Sequence, residues 1–306
     1  MPALIDALRE GFRSEITVPP RHHHSIRVPG GQDATLLLMP AWHSGRRFGV
    51  KLVSIFPDNG AKKLPAVQGL YLLASATDGQ PLALLDGQML TVRRTAAASG
   101  LAASYLAHEG AETLLMVGTG ALAPHLIEAH CAARPIRRVS IWGRDPSKAA
   151  ALASRLETGL PGPAPRLQAV GDLEAAVAEA DIVSCATLSR DPLVKGAWLK
   201  PGQHLDLVGA FTPEMRESDD EAVRRAELYV DTLEGAPREG GDIALPLADG
   251  VIQQDDLRGD LFALCRGEVP GRRAASAITL FKSVGHALED LVAAELAYGA
   301  TSESAT

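Results

Sequence analysis

A short apolar run over residues 114–117 ends in Gly118-Thr119-Gly120-Ala121-Leu122-Ala123, and a helical pattern of apolar residues follows. A strand, a tight glycine turn and a helix start, in that order, constrain this chain more than any other stretch. They are the parts of a βα unit that binds a dinucleotide pyrophosphate. Gly118 permits the turn, Gly120 lets the backbone approach the phosphates, and Ala123 keeps the helix close to the strand. The helix N-terminus adds free N–H groups and the positive end of its dipole. The loop starts after more than a third of the 306 residues, so a sizeable unit precedes it.

From residue 113 the pattern alternates. Strands are expected over 113–117, 138–142, 167–170, 181–186, 204–208 and 228–231, and helices over 123–133, 147–157, 173–180 and 214–225. Such alternation predicts a parallel, doubly wound sheet. Residues 276–298 read as one long helix, and the tail after Tyr298 as disordered. Upstream of the loop, Leu4, Ile5, Leu8 and Phe12 share one face of a helix over 2–13. Strand-like runs follow at 25–28, 34–39, 48–56 and 69–74, 86–89 closes the region, and an alanine-rich helix covers 91–108. Pro29-Gly30-Gly31, Ser44-Gly45, Pro57-Asp58-Asn59-Gly60 and Thr77-Asp78-Gly79 separate the runs as turns, which describes an antiparallel region. The predicted class is α/β: a Rossmann-type sheet at 113–285 plus an α+β domain at 1–112, with a C-terminal helix at 286–306 returning to the latter.

Bulk properties narrow the functional classes. The net charge of −7 provides no broad basic surface for nucleic acid, and no run has the length and apolarity of a membrane span. The N-terminus carries Asp6, Arg9 and Glu10 among its apolar residues and reads as an amphipathic helix, not a signal peptide. Cys131, Cys185 and Cys265 lie far apart without metal-ligand spacing. A reduced, cytoplasmic protein without structural zinc is the expectation. His22-His23-His24 cannot close on one ion, because neighbouring side chains of an extended chain point to opposite faces. No metal site is predicted.

The end of the second strand of the βα unit selects the nicotinamide cofactor. An acid there binds the adenosine ribose, whereas an Arg accommodates a 2′-phosphate. The chain reads Gly143-Arg144-Asp145-Pro146-Ser147-Lys148. Arg144, with Ser147 and Lys148, points to NADPH; if Asp145 instead binds the ribose, NADH fits. In the first domain, Lys51 interrupts an apolar strand and Arg94 opens a small-residue helix. Each alone suits an edge charge or a structural ion pair. With Arg21 they suggest a pocket for a small carboxylate, oriented by charge-assisted hydrogen bonds of about 1.5–3 kcal/mol each. Cys185, at a strand end without an evident base, reads as buried and structural.

Together these residues resemble the ornithine cyclodeaminase/mu-crystallin family over nearly the whole chain. The matching segments are Gly49-Val50-Lys51 with Pro57-Asp58-Asn59, Leu90-Thr91 with Arg94–Ser99, Val117–Ala121, Val208–Pro213 with Glu217, Gly241-Asp242 with Pro246, Gly271-Arg272, and Thr279–Gly285. The resemblance implies that the first domain binds substrate and forms a homodimer, and that the Rossmann domain binds NAD(H) or NADP(H). It implies that Lys51 and Arg94, assisted by Arg21, bind the substrate carboxylate. It also sets Thr95, Ala121, Leu122, Arg144, Thr187 and Ser283 along the cofactor, and Val284 against the substrate near the nicotinamide.

One departure separates branches of the family. Cyclodeaminases carry an Asp where this chain has Phe211, and a lysine where it has Met215. Phe cannot move a proton, so an Asp-dependent cyclodeaminase step is lost. The form Phe211-Thr212-Pro213-Glu214-Met215-Arg216-Glu217 resembles the ketimine reductase branch, whose members reduce Δ1-pyrroline-2-carboxylate and Δ1-piperideine-2-carboxylate to L-proline and L-pipecolate. Phe211 would then wall a small cyclic imino acid and exclude a charged side chain. The alternatives are ornithine cyclodeaminase or alanine dehydrogenase activity, and a mu-crystallin-like NADPH- and small-ligand-binding protein.

Overall fold

Two glycine-punctuated textures become two sheets in the computed structural model, which describes residues 1–159 and 165–303. The chain opens on α1 (Pro2–Arg13) and continues through β1 (His22–Ile26), β2 (Ala34–His43), β3 (Arg47–Ile55), β4 (Val67–Ser75) and β5 (Pro81–Asp86) to α2 (Gly87–Leu106). Then follow β6 (Thr113–Val117), α3 (Ala123–Ala133), β7 (Arg138–Trp142), α4 (Pro146–Leu156), β8 (Arg166–Ala169), α5 (Leu173–Glu179), β9 (Ile182–Cys185) and β10 (His204–Leu207). The last elements are α6 (Asp220–Arg225), β11 (Glu227–Val230), α7 (Ala236–Glu239), α8 (Gly241–Ala248), β12 (Leu257–Asp260), α9 (Leu261–Arg266), β13 (Thr279–Lys282) and α10 (Ala287–Glu303).

The first five strands form an antiparallel sheet in sequential order β1-β2-β3-β4-β5. Gly45 and Gly79, both at positive φ, turn the chain between β2 and β3 and between β4 and β5. The other eight strands are parallel, in the order β12-β11-β13-β10-β9-β6-β7-β8. Alternate residues of β6 feed two cores: Leu115 and Val117 join one, Leu114 and Met116 the other. A sheet covered on both faces needs such continuous apolar strands. The strand order reverses between β6 and β9, and ligands of such sheets bind at that switch point, beyond the strand ends.

The chain forms two compact units. One holds Met1–Asp6 and Thr95–Gly285, with the parallel sheet; the other holds Ala7–Arg94 and the chain from His286, with the antiparallel sheet. The division thus falls inside α2, between Arg94 and Thr95, rather than at residue 112. In the antiparallel-sheet unit, α10 packs on β2, β3 and β4.

The largest departure from the sequence expectation is at 276–298. Thr279–Lys282 is a central strand, buried on both faces between β10 and β11, and α10 begins only after Gly285 (φ +87). A short run buried on both sides has no period that separates strand from helix. The helix also continues past Tyr298 to Glu303, where disorder was expected. The helix expected over 214–225 starts at Asp220, because the Asp219 carboxylate caps it by accepting from the Ala222 N–H at 2.9 Å. β5, β12 and the short helices α7, α8 and α9 had no expectation, and the alanine-rich helix begins at Gly87, capped by Asp86.

Candidate active site

The glycine loop follows β6. Gly118 sits at φ +119, and a Cβ there would lie 2.6 Å from the Ala186 carbonyl oxygen, so only glycine fits. A Cβ at Gly120 would meet nothing within 4 Å, which leaves the backbone open to a ligand. Gly120 and Ala121 are exposed, Leu122 half-buried and Ala123 fully buried against the sheet. No side chain caps α3 among the described residues. The Ala123 and His125 N–H groups donate to the Gly120 and Leu122 carbonyls and Pro124 has none, so an anion would meet the N–H groups of the preceding turn, at Gly120, Ala121 and Leu122. These features fit a dinucleotide pyrophosphate. At the end of β7, Arg144, Ser147 and Lys148 are all exposed. Asp145 is committed to capping α4: its Oδ1 accepts from the Ser147 N–H at 3.0 Å and from the Ser147 hydroxyl at 2.6 Å. The Ser147 hydroxyl bond holds the Asp145 carboxyl below its ordinary range.

Further along the same strand-end edge, buried carboxylates tie the loops together. Glu217 accepts from the Thr187 N–H (2.6 Å), the Thr187 hydroxyl (2.9 Å) and the Gly209 N–H (2.7 Å), joining the loops after β9 and β10. Burial pushes the Glu217 carboxyl up, opposed by nearby Lys282. Lys282 itself pairs with Asp242 at 3.1 Å, and both are fully buried. Asp231 organises the turn after β13. It accepts from the Val284 and Gly285 N–H groups at 2.7 and 2.6 Å, and from the Ser283 hydroxyl at 3.3 Å. Val284 is half-buried, its methyls near Gly235 and Gly240, where no Cβ intervenes. Thr95 is buried within α2, whereas Phe211 is 42% exposed in the loop after β10.

The antiparallel-sheet unit holds a charged cluster in an apolar setting. Lys51 on β3 and Arg94 on α2 are buried, and both meet the first turn of α10. Lys51 Nζ lies 2.9 and 2.7 Å from the two Asp290 carboxylate oxygens. Arg94 Nε is 2.9 Å from Asp290 Oδ1, and its Nη1 donates to Glu289 Oε2 at 2.6 Å. Burial, with the neighbouring Arg94 charge, pushes the Lys51 ammonium down to about 8, against the pull of Asp290. Burial would raise the Asp290 carboxyl, but Arg94 and Lys51 outweigh it and hold it low. The Arg21 charge acts on both Lys51 and Asp290 from just before β1. Tyr71, the cross-strand neighbour of Lys51, is fully buried, and its hydroxyl occupies the place of a Cβ at Gly49.

The structure thus brings Lys51, Arg94 and Arg21 into one electrostatic group, and gathers Gly118, Thr187, Ser283 and Val284 at the ends of parallel strands. His22, His23 and His24 lie exposed on β1, and no group of three or more potential metal ligands occurs among the described residues. Sequence reasoning missed Glu289 and Asp290. Their signal was two acids between Leu288 and Leu291, both fully buried, but a helix drawn from residue 276 hid that they occupy a first turn. Asp231, Lys282 and the inward side chain of Glu217 were missed because only tertiary packing shows which polar groups are buried.

Residues 1–305 match the sequence profile of a single family. The chain belongs to the ornithine cyclodeaminase/mu-crystallin family. Among its relatives, the Δ1-pyrroline-2-carboxylate reductase of Paracoccus denitrificans (strain Pd 1222) is 40% identical over 291 residues, covering 95% of this chain and 89% of the relative. Two solved structures superpose closely. Thermococcus litoralis Δ1-pyrroline-2-carboxylate reductase in complex with NADH and L-proline has a TM-score of 0.90 at 34% identity, covering 99% of this chain and 94% of that one. The iminosuccinate reductase of Paracoccus denitrificans in complex with NAD+ has a TM-score of 0.85 at 28% identity, covering 100% and 93%. The parallel sheet is therefore the family's Rossmann-type, nicotinamide-cofactor fold.

Proposed function

We propose that this protein is an NAD(P)H-dependent cyclic ketimine reductase that converts Δ1-pyrroline-2-carboxylate, Δ1-piperideine-2-carboxylate or both to L-proline and L-pipecolate. The observation that carries this reading is the buried cation cluster of Lys51 and Arg94, in a chain with Phe211 where the cyclodeaminases hold an acid. Arg21, Lys51 and Arg94 all act on the Asp290 carboxylate, and Glu289 pairs with Arg94, so the cations are gathered at one place where a substrate carboxylate could join them.

When bound, the dihydronicotinamide supplies the hydride that reduces the C=N bond. Lys51 and Arg94 fix the substrate carboxylate, and so fix which carbon and which ring face are presented. Gly118 shapes the turn, its own N–H donated to the Trp142 carbonyl, and Gly120, Ala121 and Leu122 hold the pyrophosphate on backbone N–H groups. Thr187 and Ser283, locked by Glu217 and Asp231, line the cofactor, with Thr95 alongside it. Val284 and Phe211 supply apolar surface. A ring nitrogen that is already protonated makes the carbon electrophilic, so Phe211 costs nothing in proton transfer at that position.

Arg144 supports NADPH as the preferred cofactor, with Ser147 and Lys148 flanking it. The capping duty of Asp145 argues against its use on the ribose. The relatives described above hold NADH and NAD+, so both cofactors belong in the assay. We also infer a homodimer. On the outer face of the antiparallel sheet, Leu52 and Leu70 pair across strands at 41% and 46% exposure, beside Leu84 at 69%. A contiguous exposed apolar sheet face supports burial against a second copy. Three free cysteines support a reducing, cytoplasmic compartment, and no helix among the described residues is long and apolar enough to cross a membrane. Steady-state assays with both imines and both cofactors test the activity. Oxidation of NAD(P)H with at least one imine is expected, without ammonia release from ornithine; no turnover of either imine overturns the proposal.

A further inference from the structure

We propose that Asp290, backed by Glu289, is the positioning residue that holds Lys51 and Arg94 together as a single anchor for one substrate carboxylate. The inference rests on the ketimine reductase reading and adds a residue to it. The three side chains come from separate elements: Lys51 from β3, Arg94 from α2 and Asp290 from α10. Two buried cations side by side repel, and Arg94 does depress the Lys51 ammonium. One oxygen resolves this. Asp290 Oδ1 is shared by Lys51 Nζ and Arg94 Nε, at 2.9 Å from each, while Oδ2 takes a second contact to Lys51 at 2.7 Å. Glu289 holds the other side of the guanidinium at 2.6 Å. Arg94 is thereby held by a hydrogen bond at Nη1 and an ion-pair contact at Nε. The Lys51 ammonium has three donors, and Asp290 is its one partner among the described residues, so a donor is left for a ligand oxygen.

The same contacts set when the anchor is charged. The groups bearing on Lys51 are Asp290 on α10, Arg94 on α2 and Arg21 ahead of β1, with Tyr71 on β4 its neighbour across the sheet; Glu289 pairs with Arg94, and Glu295, further along α10, acts on Tyr71. Of those that bear on Lys51 directly, Asp290 alone favours its protonated form, by charge and by hydrogen bond. Burial, Arg94 and Arg21 all oppose it. Removing the Asp290 charge therefore moves Lys51 deprotonation to lower pH. A residue that merely supported the fold would weaken the protein without moving that transition.

The test is calorimetric binding of cyclopent-1-ene-1-carboxylate to the full chain with saturating NADPH, from about pH 6 to 10. This ligand keeps the ring and carboxylate of the five-membered imine but has no ring nitrogen to titrate. In the wild type, the Kd stays flat at low pH and rises about tenfold per unit above about pH 8, as one proton is lost from the anchor. Lys51→Arg, which does not titrate in this range, removes the bend. Asp290→Asn shifts the bend down by at least about one unit. A bend that Lys51→Arg abolishes but Asp290→Asn leaves in place overturns this inference alone. No binding by the wild type, or a bend that survives in Lys51→Arg, overturns the underlying reading as well. Should Asp290→Asn fail to fold, Asp290→Glu provides the readout. Displacing the shared oxygen by one methylene is expected to lower kcat at least about tenfold, with the NADPH Kd within about twofold of wild type; an unchanged kcat overturns the proposal.

Discussion

Replacing Arg144 with Asp isolates cofactor selection from everything else in the molecule. Arg144 is exposed at the end of β7, so the exchange is expected to change stability by less than about 0.5 kcal/mol. Its neighbour cannot take over its role. Asp145 is occupied by the cap on α4, and the Ser147 hydroxyl is spent on Asp145 at 2.6 Å. Whatever discrimination the strand end provides for a 2′-phosphate therefore rests mainly on the Arg144 guanidinium, with Lys148 secondary. A charge-assisted hydrogen bond contributes about 1.5–3 kcal/mol. At about 1.4 kcal/mol per factor of ten, its loss corresponds to roughly 10- to 150-fold. An introduced carboxylate adds repulsion against the phosphate and a ribose acceptor for NADH. The kcat/KM ratio of NADPH to NADH is thus expected to fall by at least about tenfold. Fluorescence titration of each reduced cofactor should show the change in Kd with kcat nearly constant. A ratio within about twofold of wild type, in a protein that melts normally, would refute the reasoning and return the ribose to Asp145.

Other perturbations probe the remaining parts. Arg94→Lys keeps the charge but cannot grip Glu289 and Asp290 together, so kcat/KM for the imine should fall about 10- to 100-fold with cofactor affinity unchanged; full activity in steady-state assays would reject Arg94 as an anchor. Asp231→Ala leaves the Val284 and Gly285 N–H groups without their acceptor, at about 1–3 kcal/mol each, so urea denaturation should show a lower midpoint, and wild-type stability would count against its role in holding that turn. Leu70→Asp combined with Leu84→Asp places charge on the outer sheet face, and light scattering should report a monomer; a surviving dimer would mean that a different surface forms it.

How much of this was legible in sequence follows from which signals are local. The βα unit reads directly, because the positive φ of Gly118 and the tight packing of Ala123 each demand a particular small residue at a fixed place. The helix at 123–133 and the strand at 138–142 are observed at their expected bounds. Lys51 and Arg94 stood out as charges in apolar or small-residue settings, and both prove buried. β13 was illegible because its four buried residues carry no alternation, and only pairing with β10 and β11 makes them a strand. That error concealed the N-terminus of α10, and with it the acids that answer the two cations.

The sequence by itself determined the strand–turn–helix unit of the cofactor loop and marked Lys51 and Arg94 as charges in apolar or small-residue settings, each from residue type and near-neighbour spacing; the resemblance to the family is what makes Phe211 a departure. Only the tertiary structure decided what those residues face. Lys51 and Asp290 are 239 residues apart in sequence yet share a hydrogen bond of 2.9 Å. Asp145 and Asp231 are both acids near strand ends, but one is exposed and caps α4 and the other is buried beneath the turn after β13. The physical reason is that a charge acquires its role from burial and from its partners, and folding assigns both from distant parts of the chain.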